Sequence, residues 1–354
     1  MQSLWSETAS KLSPYVPGEQ PRVADLVKLN TNENPYGPSP RALDAMRAAS
    51  ADSLRLYPDP EASDLRDALA AHHNVKPGHV FVENGSDEVP AHAFVALLKH
   101  PKPLLIPNIT YSFYPVWAQL FGVGVKTVAL DGNMQIRIDD YRHDAGSIII
   151  PNPNAPTGIA IPRSEIVRLL DLQPNIPVLI DEAYIDFGGE SAVPAIADHP
   201  NLLVVHTMSK ARGLAGLRVG YALGDKDLID ALTRVKDSFN SYPLGTVAQA
   251  GAAASVRDEA YFKYYCSQIV TGREAMSRKL TALGFKVLPS SANFVFARHP
   301  DRKGKELAAG LRERAILVRH FDKPRTTEYL RITVGTEDDT QRLITAAADI
   351  LNSG

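Results

Sequence analysis

The chain has 354 residues, of which 44% are apolar and 22% are charged, and its formal net charge is −2. A chain of this length predicts one large domain with a smaller one, and a sizeable core. The near-neutral charge and the lack of long like-charge runs argue against nucleic-acid partners, and no stretch reaches the roughly 20 apolar residues of a membrane helix. We therefore expect small-molecule partners, with no nucleic acid and no membrane.

Two further features bear on the cellular compartment. The first 20 residues lack a basic segment followed by an apolar core, so a secretory signal is not expected. Cys266 is the single cysteine, which excludes an intramolecular disulfide and favours a reducing, cytoplasmic location. Its bulky apolar neighbours predict an inert, packed thiol.

Residues 1–44 are predicted to form an N-terminal arm and a part of the small domain. The segment NTNENPYGPSP, residues 30–40, contains too many prolines for a helix or a central strand. We expect an ordered loop there.

Residues 45–254 are predicted to form the large, cofactor-binding domain. Between about residues 80 and 225, short apolar runs alternate with longer segments that are compatible with helices. This rhythm predicts βα units and a mostly parallel central sheet covered by helices, which is an α/β fold. The six runs are HVFVENG, PLLIPN, GSIIIPNPN, PVLIDEAY, LLVVHTMSK and RVGYALG.

Residues 255–354 show a different order of patterns and are predicted to form a smaller α+β domain. Helical patterns cover residues 257–284, residues near 303–314 and residues from 337 onward. Between them lie the apolar runs FKVLP, ANFVFAR, AILVRHF and YLRITVG. No flexible linker separates the two halves, so we expect the domains to pack closely.

Polar residues follow five of the predicted strands, at the point where each strand ends. Each has an ordinary structural explanation by itself, such as a helix N-cap, a turn or a solvated lysine. In an open α/β sheet, however, ligands bind beyond the carboxyl ends of the strands, so a shared edge favours a binding site. The residues are Gly85-Ser86-Asp87, Tyr111, Asn152 with Asn154, Asp181 with Tyr184, and Ser209-Lys210.

These residue types suit pyridoxal 5′-phosphate chemistry, in which a lysine forms a Schiff base with the cofactor and the ring accepts electrons. Lys210 is predicted to be that lysine. Asp181 would face the pyridine nitrogen, and Tyr184 would donate a hydrogen bond to the ring hydroxyl. The sequence therefore predicts these three side chains as catalytic residues.

The phosphate of this cofactor requires backbone N–H groups, a fixed positive charge and hydroxyl groups. The GSD turn would supply the N–H groups, and an arginine eight residues beyond the lysine would supply the charge. The predicted phosphate contacts are Gly85, Ser86, Asp87, Thr207, Ser209 and Arg218.

Taken together, the motifs resemble the fold type I (class I/II) aminotransferases, and more closely their histidinol-phosphate aminotransferase branch. The resemblance runs from about residue 14 to about residue 336. It implies a homodimer that transfers an amino group from a small-molecule donor to a keto acid in two half-reactions. The motifs are LNTNENPYGPSP, LYPDP, ENGSDE, PNPNAPTG, IDEAYIDF, TMSKARGLAGLRVGY and YLRITVGT.

The resemblance also implies residue roles. Tyr111 is similar to the aromatic residue that stacks on the pyridine ring, and Tyr57 to the residue that reaches the neighbouring subunit's cofactor phosphate. Arg331 is similar to the arginine that grips the substrate α-carboxylate, for which its planar fork is suited. The residues similar to contacts of the substrate side chain and phosphate are Tyr15, Asn32 and Arg319.

One position departs from the family pattern. The family commonly has asparagine immediately before PTG, bonded to the ring hydroxyl, whereas this chain has Ala155 there and Asn154 one place earlier. Either Asn154 takes over this contact through a shifted turn, or Tyr184 holds the oxygen alone. The first hypothesis is preferred, so Asn154 is included among the predicted cofactor contacts.

Other function classes fit the sequence less well. A nicotinamide dehydrogenase is disfavoured because the run that begins at Gly122 has Thr127 where a third glycine belongs. No G-x-S-x-G motif and no His-x-x-x-His pair occur, so neither a serine hydrolase nor a metal centre is expected. A regulator without turnover is disfavoured because the predicted catalytic residues are intact.

The resemblance implies that the function is that of a histidinol-phosphate aminotransferase in histidine biosynthesis. Such an enzyme converts L-histidinol phosphate and 2-oxoglutarate to imidazole acetol phosphate and L-glutamate. An aromatic amino acid aminotransferase and a pyridoxal phosphate-dependent threonine-phosphate decarboxylase remain open, because both share nearly all of the cofactor motifs.

Overall fold

The structure is a computed structural model that describes residues 4–16, 18–21 and 25–353. Within these ranges the chain forms eleven α-helices and twelve β-strands. The helices are α1 (Glu7–Lys11), α2 (Pro40–Ala49), α3 (Ser63–His73), α4 (Glu88–Ala93), α5 (Tyr114–Phe121), α6 (Arg163–Leu172), α7 (Lys226–Phe239), α8 (Thr246–Arg257), α9 (Glu259–Ala282), α10 (Gly304–Glu313) and α11 (Glu337–Asn352). The strands are β1 (Val27–Leu29), β2 (Val80–Glu83), β3 (Leu104–Pro107), β4 (Val125–Val128), β5 (Ser147–Pro151), β6 (Val178–Asp181), β7 (Leu202–Thr207), β8 (Gly220–Gly224), β9 (Lys286–Val287), β10 (Phe294–Arg298), β11 (Ile316–His320) and β12 (Leu330–Thr333).

The larger sheet has seven strands in the order β2-β8-β7-β6-β5-β3-β4. All neighbouring strands pair in parallel except β8, which runs antiparallel to both β2 and β7. Its inner strands are buried along their length, as continuous runs of Ile, Leu and Val predict for strands covered on both faces. The mostly parallel sheet and the six predicted strands are confirmed.

Strand β4 lies outside the six predicted runs. It forms an edge of the large sheet, and three of its four residues are exposed. An edge strand buries less apolar surface than a central one, so its sequence, VKTV, lacks the apolar run that marks the other strands.

The smaller sheet has five strands in the order β1-β11-β12-β10-β9. Strand β1, from the N-terminal segment, pairs in parallel with β11, and the remaining pairs are antiparallel. All four apolar runs predicted after residue 255 are strands of this sheet, and helices α10 and α11 lie where they were expected. The limits of the two domains at residues 44 and 254 stay predictions.

Hydrophobic layers cover both faces of the large sheet because successive side chains of a strand point to opposite faces. On β5, for example, Ile148 and Ile150 belong to one layer and Ile149 to the other. A third cluster lies around the small sheet and contains Cys266, where burial raises the pKa of the thiol to about 12. No helix in the described part of the chain is long and apolar enough to cross a bilayer.

Candidate active site

A cavity of about 430 Å³ lies where the carboxyl ends of the large-sheet strands face the small sheet. Its position agrees with the rule that ligands bind at this edge of an open α/β sheet. The structure brings together thirteen of the sixteen predicted site residues as lining side chains. These are Tyr15, Asn32, Ser86, Asp87, Tyr111, Asp181, Tyr184, Thr207, Ser209, Lys210, Arg218, Arg319 and Arg331.

Lys210 lies in the turn that follows β7, and its amine points into the cavity. Its Nζ donates a hydrogen bond to the carbonyl oxygen of Thr31 at 3.2 Å and lies 6.0 Å from the centre of the Tyr184 ring. Burial, assisted by the positive charge of Arg331, lowers the pKa of this amine to about 8. About a tenth of the amine is therefore uncharged at pH 7, far more than for an ordinary lysine, and a nucleophilic amine must be uncharged.

Asp181 ends strand β6, and its carboxylate borders the cavity. Its Oδ2 accepts a hydrogen bond of 2.6 Å from the hydroxyl of Tyr114, and its Oδ1 accepts one of 3.1 Å from the backbone N–H of Ala183. Burial raises the pKa of this carboxyl group, and the two hydrogen bonds oppose that rise. Asp181 is thus an oriented carboxylate that could pair with a protonated ring nitrogen.

Tyr184 lies three residues beyond Asp181, and its hydroxyl receives a hydrogen bond of 3.0 Å from the Asn32 side-chain amide. Asn32 is held in turn by Thr333 of β12, whose hydroxyl accepts from the Asn32 backbone N–H at 3.0 Å. The Tyr184 ring packs edge-on against Phe294 at 5.1 Å. Contacts from the N-terminal segment and the small sheet therefore fix the position of the Tyr184 hydroxyl.

The turn after β2 forms a narrow cradle in which only glycine fits. Gly85 has φ +84°, and a Cβ atom there would collide with Nη2 of Arg218. A Cβ atom on Gly220 would collide with the backbone nitrogen of Ser86. Because Gly85 and Gly220 have no side chain, the backbone of the turn can lie close to Arg218 and to strand β8. The Arg218 guanidinium and the hydroxyls of Ser86 and Ser209 also border this cavity.

Asp87 holds the side chains of Arg218 and Tyr111 in place. Its Oδ2 accepts from Arg218 Nη2 at 3.2 Å, and its Oδ1 accepts from the hydroxyl of Tyr111 at 3.1 Å. Backbone N–H groups, hydroxyls and a fixed guanidinium form the set of donors that a phosphate monoester needs. The residues present therefore fit the phosphate of pyridoxal 5′-phosphate.

Arg319 and Arg331 lie directly opposite each other on the antiparallel strands β11 and β12. Neither forms an ion pair with an acidic residue in the described part of the chain; Arg331 Nη2 donates to the carbonyl oxygen of Asn30 at 2.9 Å. Its Nε is buried without a hydrogen-bond partner, and burial lowers the pKa of its guanidinium. Like charges directly opposite in a sheet repel each other, so this end of the cavity favours an anionic ligand.

Three predicted site residues do not line the cavity. Gly85 lies behind Arg218, where it makes room for the guanidinium. Tyr57 is 83% exposed and stacks on Tyr242 with ring centres 4.8 Å apart. Asn154 is buried outside the cavity.

The surroundings of Asn154 bear on the preferred hypothesis for the ring hydroxyl. The Asn154 side-chain amide donates to the carbonyl oxygen of Ile109 and to Thr157 Oγ1, each at 3.1 Å, whereas Ala155 does line the cavity. This geometry places Asn154 away from the cofactor and favours the alternative, in which Tyr184 holds the ring hydroxyl without it. The role of Asn154 stays a prediction.

The sequence analysis missed several residues at the site. Glu33 lines the cavity, and its carboxylate binds Lys28 at 2.7 Å and Thr31 at 2.9 Å. It belongs to the quoted NTNENP motif, but a loop position gives no periodic signal. Tyr114 was also missed, although it lies only three residues after Tyr111, in the turn that leads into α5.

A cluster of Glu83, Glu88 and His92 lies on the far side of the same turn, and one ligand atom from each falls within 4.8 Å of the others. Its members contact one another and the adjoining turn: His92 Nε2 lies 3.1 Å from Glu83, and Asn84 donates to Glu88 at 2.8 Å. Burial raises the pKa of Glu88. The cluster therefore supports the turn on the side that faces away from the cavity.

The family of this chain follows from comparison with known proteins. The model of the family described as aminotransferase class I and II matches residues 24–346. The chain belongs to this family. Membership confirms the predicted enzyme class and, because these aminotransferases depend on pyridoxal 5′-phosphate, also the predicted cofactor.

Similar curated proteins cover the whole length of the aminotransferase. It is 59% identical over 351 residues to histidinol-phosphate aminotransferase 2 of Rhizobium meliloti, covering 99% of this chain and 100% of that protein. It is 58% identical over 355 residues to histidinol-phosphate aminotransferase of Aromatoleum aromaticum, with the same coverage of 99% and 100%. The predicted branch of the family is confirmed by this similarity.

Solved structures confirm the fold. The aminotransferase superposes on histidinol-phosphate aminotransferase of Sinorhizobium meliloti in complex with pyridoxal-5′-phosphate with a TM-score of 0.90, at 24% identity, covering 100% and 99% of the two chains. The enzyme of the same name from Clostridium acetobutylicum gives a TM-score of 0.86 at 25% identity, covering 93% of this chain and 100% of the other.

Proposed function

We propose that this aminotransferase acts on L-histidinol phosphate, transferring its amino group to 2-oxoglutarate to give imidazole acetol phosphate and L-glutamate. The observation that carries the proposal is the 54–59% identity, over almost the whole chain, to proteins named histidinol-phosphate aminotransferase. The unpaired arginines of the small sheet support it, because every substrate and product of this reaction is an anion.

The residues at the large-sheet edge would hold pyridoxal 5′-phosphate. The cradle at Gly85, with Arg218 and the nearby hydroxyls, would bind its phosphate, and Tyr111 would lie against its ring. Asp181 would hold a proton on the ring nitrogen, and Tyr184 would donate to the ring hydroxyl. When bound, the cofactor supplies a carbonyl that takes up amino groups and a ring that stabilises negative charge at the substrate Cα.

Lys210 would first bind the cofactor and then carry the proton that leaves the substrate Cα. Because the pKa of its amine is about 8, both the charged and the uncharged form are accessible near neutral pH. Lys210 can therefore accept this proton and later return it. The hydrogen bond from Nζ to the carbonyl oxygen of Thr31 is one contact that can hold the amine when it is not bound to the cofactor.

Arg319 and Arg331 would bind the acidic groups that distinguish the substrates. A phosphate in the donor, or a carboxylate in 2-oxoglutarate, would lie between the two guanidinium groups and remove their mutual repulsion. Tyr15 would close the cavity from the N-terminal side, where its ring packs on Phe113 at 4.7 Å.

A substrate panel tests the proposal. Purified enzyme with bound cofactor is given L-histidinol phosphate, phenylalanine or O-phosphothreonine, and the products formed with 2-oxoglutarate are identified. We expect kcat/KM to be highest for histidinol phosphate. A preference for phenylalanine would assign aromatic transamination instead, and release of carbon dioxide from phosphothreonine would assign a decarboxylase.

Comparing two arginine variants in that panel shows whether a loss of activity comes from lost anion binding or from general damage to the protein. Arg319→Gln is expected to lower kcat/KM for histidinol phosphate by about 10- to 100-fold, the usual weight of a charge-assisted hydrogen bond. Arg314→Gln is the matched control, because its exposed guanidinium contacts the carbonyl oxygen of Gly310 on helix α10.

A homodimer is the second part of the proposal. Tyr57 stacks on the exposed ring of Tyr242, and further exposed apolar side chains lie near these two tyrosines in the sequence, which is consistent with a covered face: Leu54, Leu56 and Phe239. Such a face would let Tyr57 of one subunit reach the cofactor phosphate of its partner. A cytoplasmic location, predicted from the single cysteine, stays a prediction.

Mixing two inactive variants tests whether sites are shared between subunits. Tyr57→Ala and Lys210→Ala are each expected to be nearly inactive as homodimers. After exchange of subunits, half of the dimers are mixed, and each mixed dimer has one complete site, so activity should recover to about a quarter of the wild-type value. No recovery, with exchange confirmed by mass, would show that Tyr57 does not serve the partner's site.

A further inference from the structure

The carboxylate of Asp181 takes its strongest hydrogen bond from a residue that does not line the cavity. Tyr114 is the first residue of α5 and is fully buried, with 0% of its surface exposed. Its hydroxyl lies 2.6 Å from Asp181 Oδ2. Among the described residues, no lysine or arginine pairs with this carboxylate, and the groups that donate hydrogen bonds to it are neutral.

The direction of this hydrogen bond follows from the ionisation of the two groups. Burial raises the pKa of Tyr114 well above its usual range, so the phenol keeps its proton and donates it. A hydrogen bond donated to a carboxylate favours the ionised form. Tyr114 therefore opposes the effect of burial on Asp181, which borders the cavity.

The ring of Tyr114 has a second contact at the site. It meets the ring of Tyr111 edge to face, with centres 5.6 Å apart and planes at 86°. Tyr111 lines the cavity and is anchored at its other end by Asp87. One buried side chain thus touches both the carboxylate that would face the ring nitrogen and the aromatic ring that would cover the cofactor.

We propose that Tyr114 is a positioning residue of this aminotransferase, which keeps Asp181 ionised and aimed at the ring nitrogen of pyridoxal 5′-phosphate while bracing the ring of Tyr111. This role requires pyridoxal 5′-phosphate but does not depend on which substrate the enzyme uses. Tyr114 itself would contact neither the cofactor nor the substrate.

Other charged and titratable groups also act on Asp181. Asp87, in the turn after β2, disfavours its ionisation, and His206, on β7, favours it. Tyr184 lies in the loop after β6, and burial raises the pKa of its phenol. His206 is itself held 3.1 Å from Glu182, so it belongs to a separate pair. Tyr114 is the side chain that bonds directly to the Asp181 carboxylate.

The test is Tyr114→Phe, which removes the hydroxyl and retains the ring that packs on Tyr111. The affinity of the cofactor-free protein for pyridoxal 5′-phosphate is measured by fluorescence titration between pH 5 and pH 9. We expect affinity at pH 7.5 to fall about 10- to 100-fold. The pH below which affinity declines should also move upward, because Asp181 takes up a proton more readily without the hydrogen bond.

Two further variants separate positioning from general packing. Tyr141→Phe is the matched control, because the buried Tyr141 hydroxyl has no hydrogen-bond partner among the described residues; it should leave the pH profile unchanged. In an Asp181→Asn background, Tyr114→Phe should cause no further loss of affinity. With bound cofactor, Tyr114→Phe should lower kcat and leave KM for the amino donor nearly unchanged.

Several results would overturn the proposal. They are a pH profile of Tyr114→Phe that matches wild type, or an equal loss of affinity with and without the Asp181 carboxylate. Because cofactor binding is measured without substrate, failure of histidinol phosphate as a substrate would leave this proposal intact. In the same way, a preference for histidinol phosphate in the substrate panel would not support this proposal if the Tyr114→Phe tests contradict it.

Discussion

Gly85→Ala is predicted to cost a little stability and much cofactor affinity. The residue has φ +84°, where a side chain strains the backbone by about 1–2 kcal/mol. The new Cβ would also lie 3.0 Å from Arg218 Cζ and collide with Nη2. A guanidinium is the far end of a flexible side chain, so it would swing away and leave the cradle.

The loss of Arg218 from the cradle sets the size of the second effect. Its displacement would break the bond from Nη2 to Asp87 and remove the fixed positive charge from the phosphate site. A hydrogen bond to a charged group contributes about 1.5–3 kcal/mol, which corresponds to roughly 10- to 150-fold in affinity. We therefore expect weaker binding of pyridoxal 5′-phosphate by this factor, with a melting temperature only a few degrees lower.

Gly122→Ala provides the matched control. Gly122 ends α5 with φ +66°, but no atom lies within 4 Å of the position its Cβ would take. The control therefore carries the backbone strain without moving a side chain. Thermal melting of the cofactor-free proteins and titration with pyridoxal 5′-phosphate should show similar melting temperatures and very different affinities. Equal affinities in the two variants would refute the argument from Arg218.

Three further predictions follow from the site. Lys210 has a pKa of about 8 in the folded chain against 10.5 in the unfolded one, so its own contribution to the stability of the cofactor-free protein should grow as pH rises from about 8 to about 10.5. The difference in free energy of unfolding between wild type and Lys210→Met, measured in urea, should therefore shift in favour of wild type over this range. Asn154→Ala should lower stability by about 1–3 kcal/mol, for two lost hydrogen bonds, and leave cofactor affinity within about threefold; a tenfold loss in titration would show that Asn154 reaches the cofactor. Arg331→Lys keeps the charge and loses the planar fork, so kcat/KM should fall at least about tenfold in steady-state assays, with melting temperature nearly unchanged.

The sequence predicts the fold well where burial and chain position act together. Strands β5, β6 and β7 contain the continuous apolar runs III, VLI and LLVV because both of their faces are buried, and Asp181 and Lys210 lie at or just beyond their carboxyl ends. Strand β4 was harder to predict because an edge strand does not need an apolar run. Helix α8, with its sequence TVAQAGAAASVR, gave no strong pattern because alanines mark neither face of a helix clearly.

The site is predicted less completely than the fold, and the reason lies in what a sequence motif records. For residues such as Lys210 and Arg218, the chemistry of the side chain is enough to predict a role from the sequence. The hydrogen bonds of Tyr114 and of Asn32 carry no such signal because the partners are distant in sequence: Tyr114 bonds a residue 67 positions away, and Asn32, whose place at the site was predicted, bonds one 152 positions away. Only the folded chain shows such pairs.

The repulsion between Arg319 and Arg331 links the fold to the reaction. Two like charges directly opposite on neighbouring strands cost stability, and burial of Arg331 adds to that cost. A chain selected for stability alone would place an acidic or apolar residue at one of the two positions. An anion bound between the two guanidinium groups would remove their repulsion, so the binding of a phosphate or carboxylate would recover free energy that the empty protein lacks. If so, the repulsion between the two arginines should favour anionic substrates over neutral amines of similar shape.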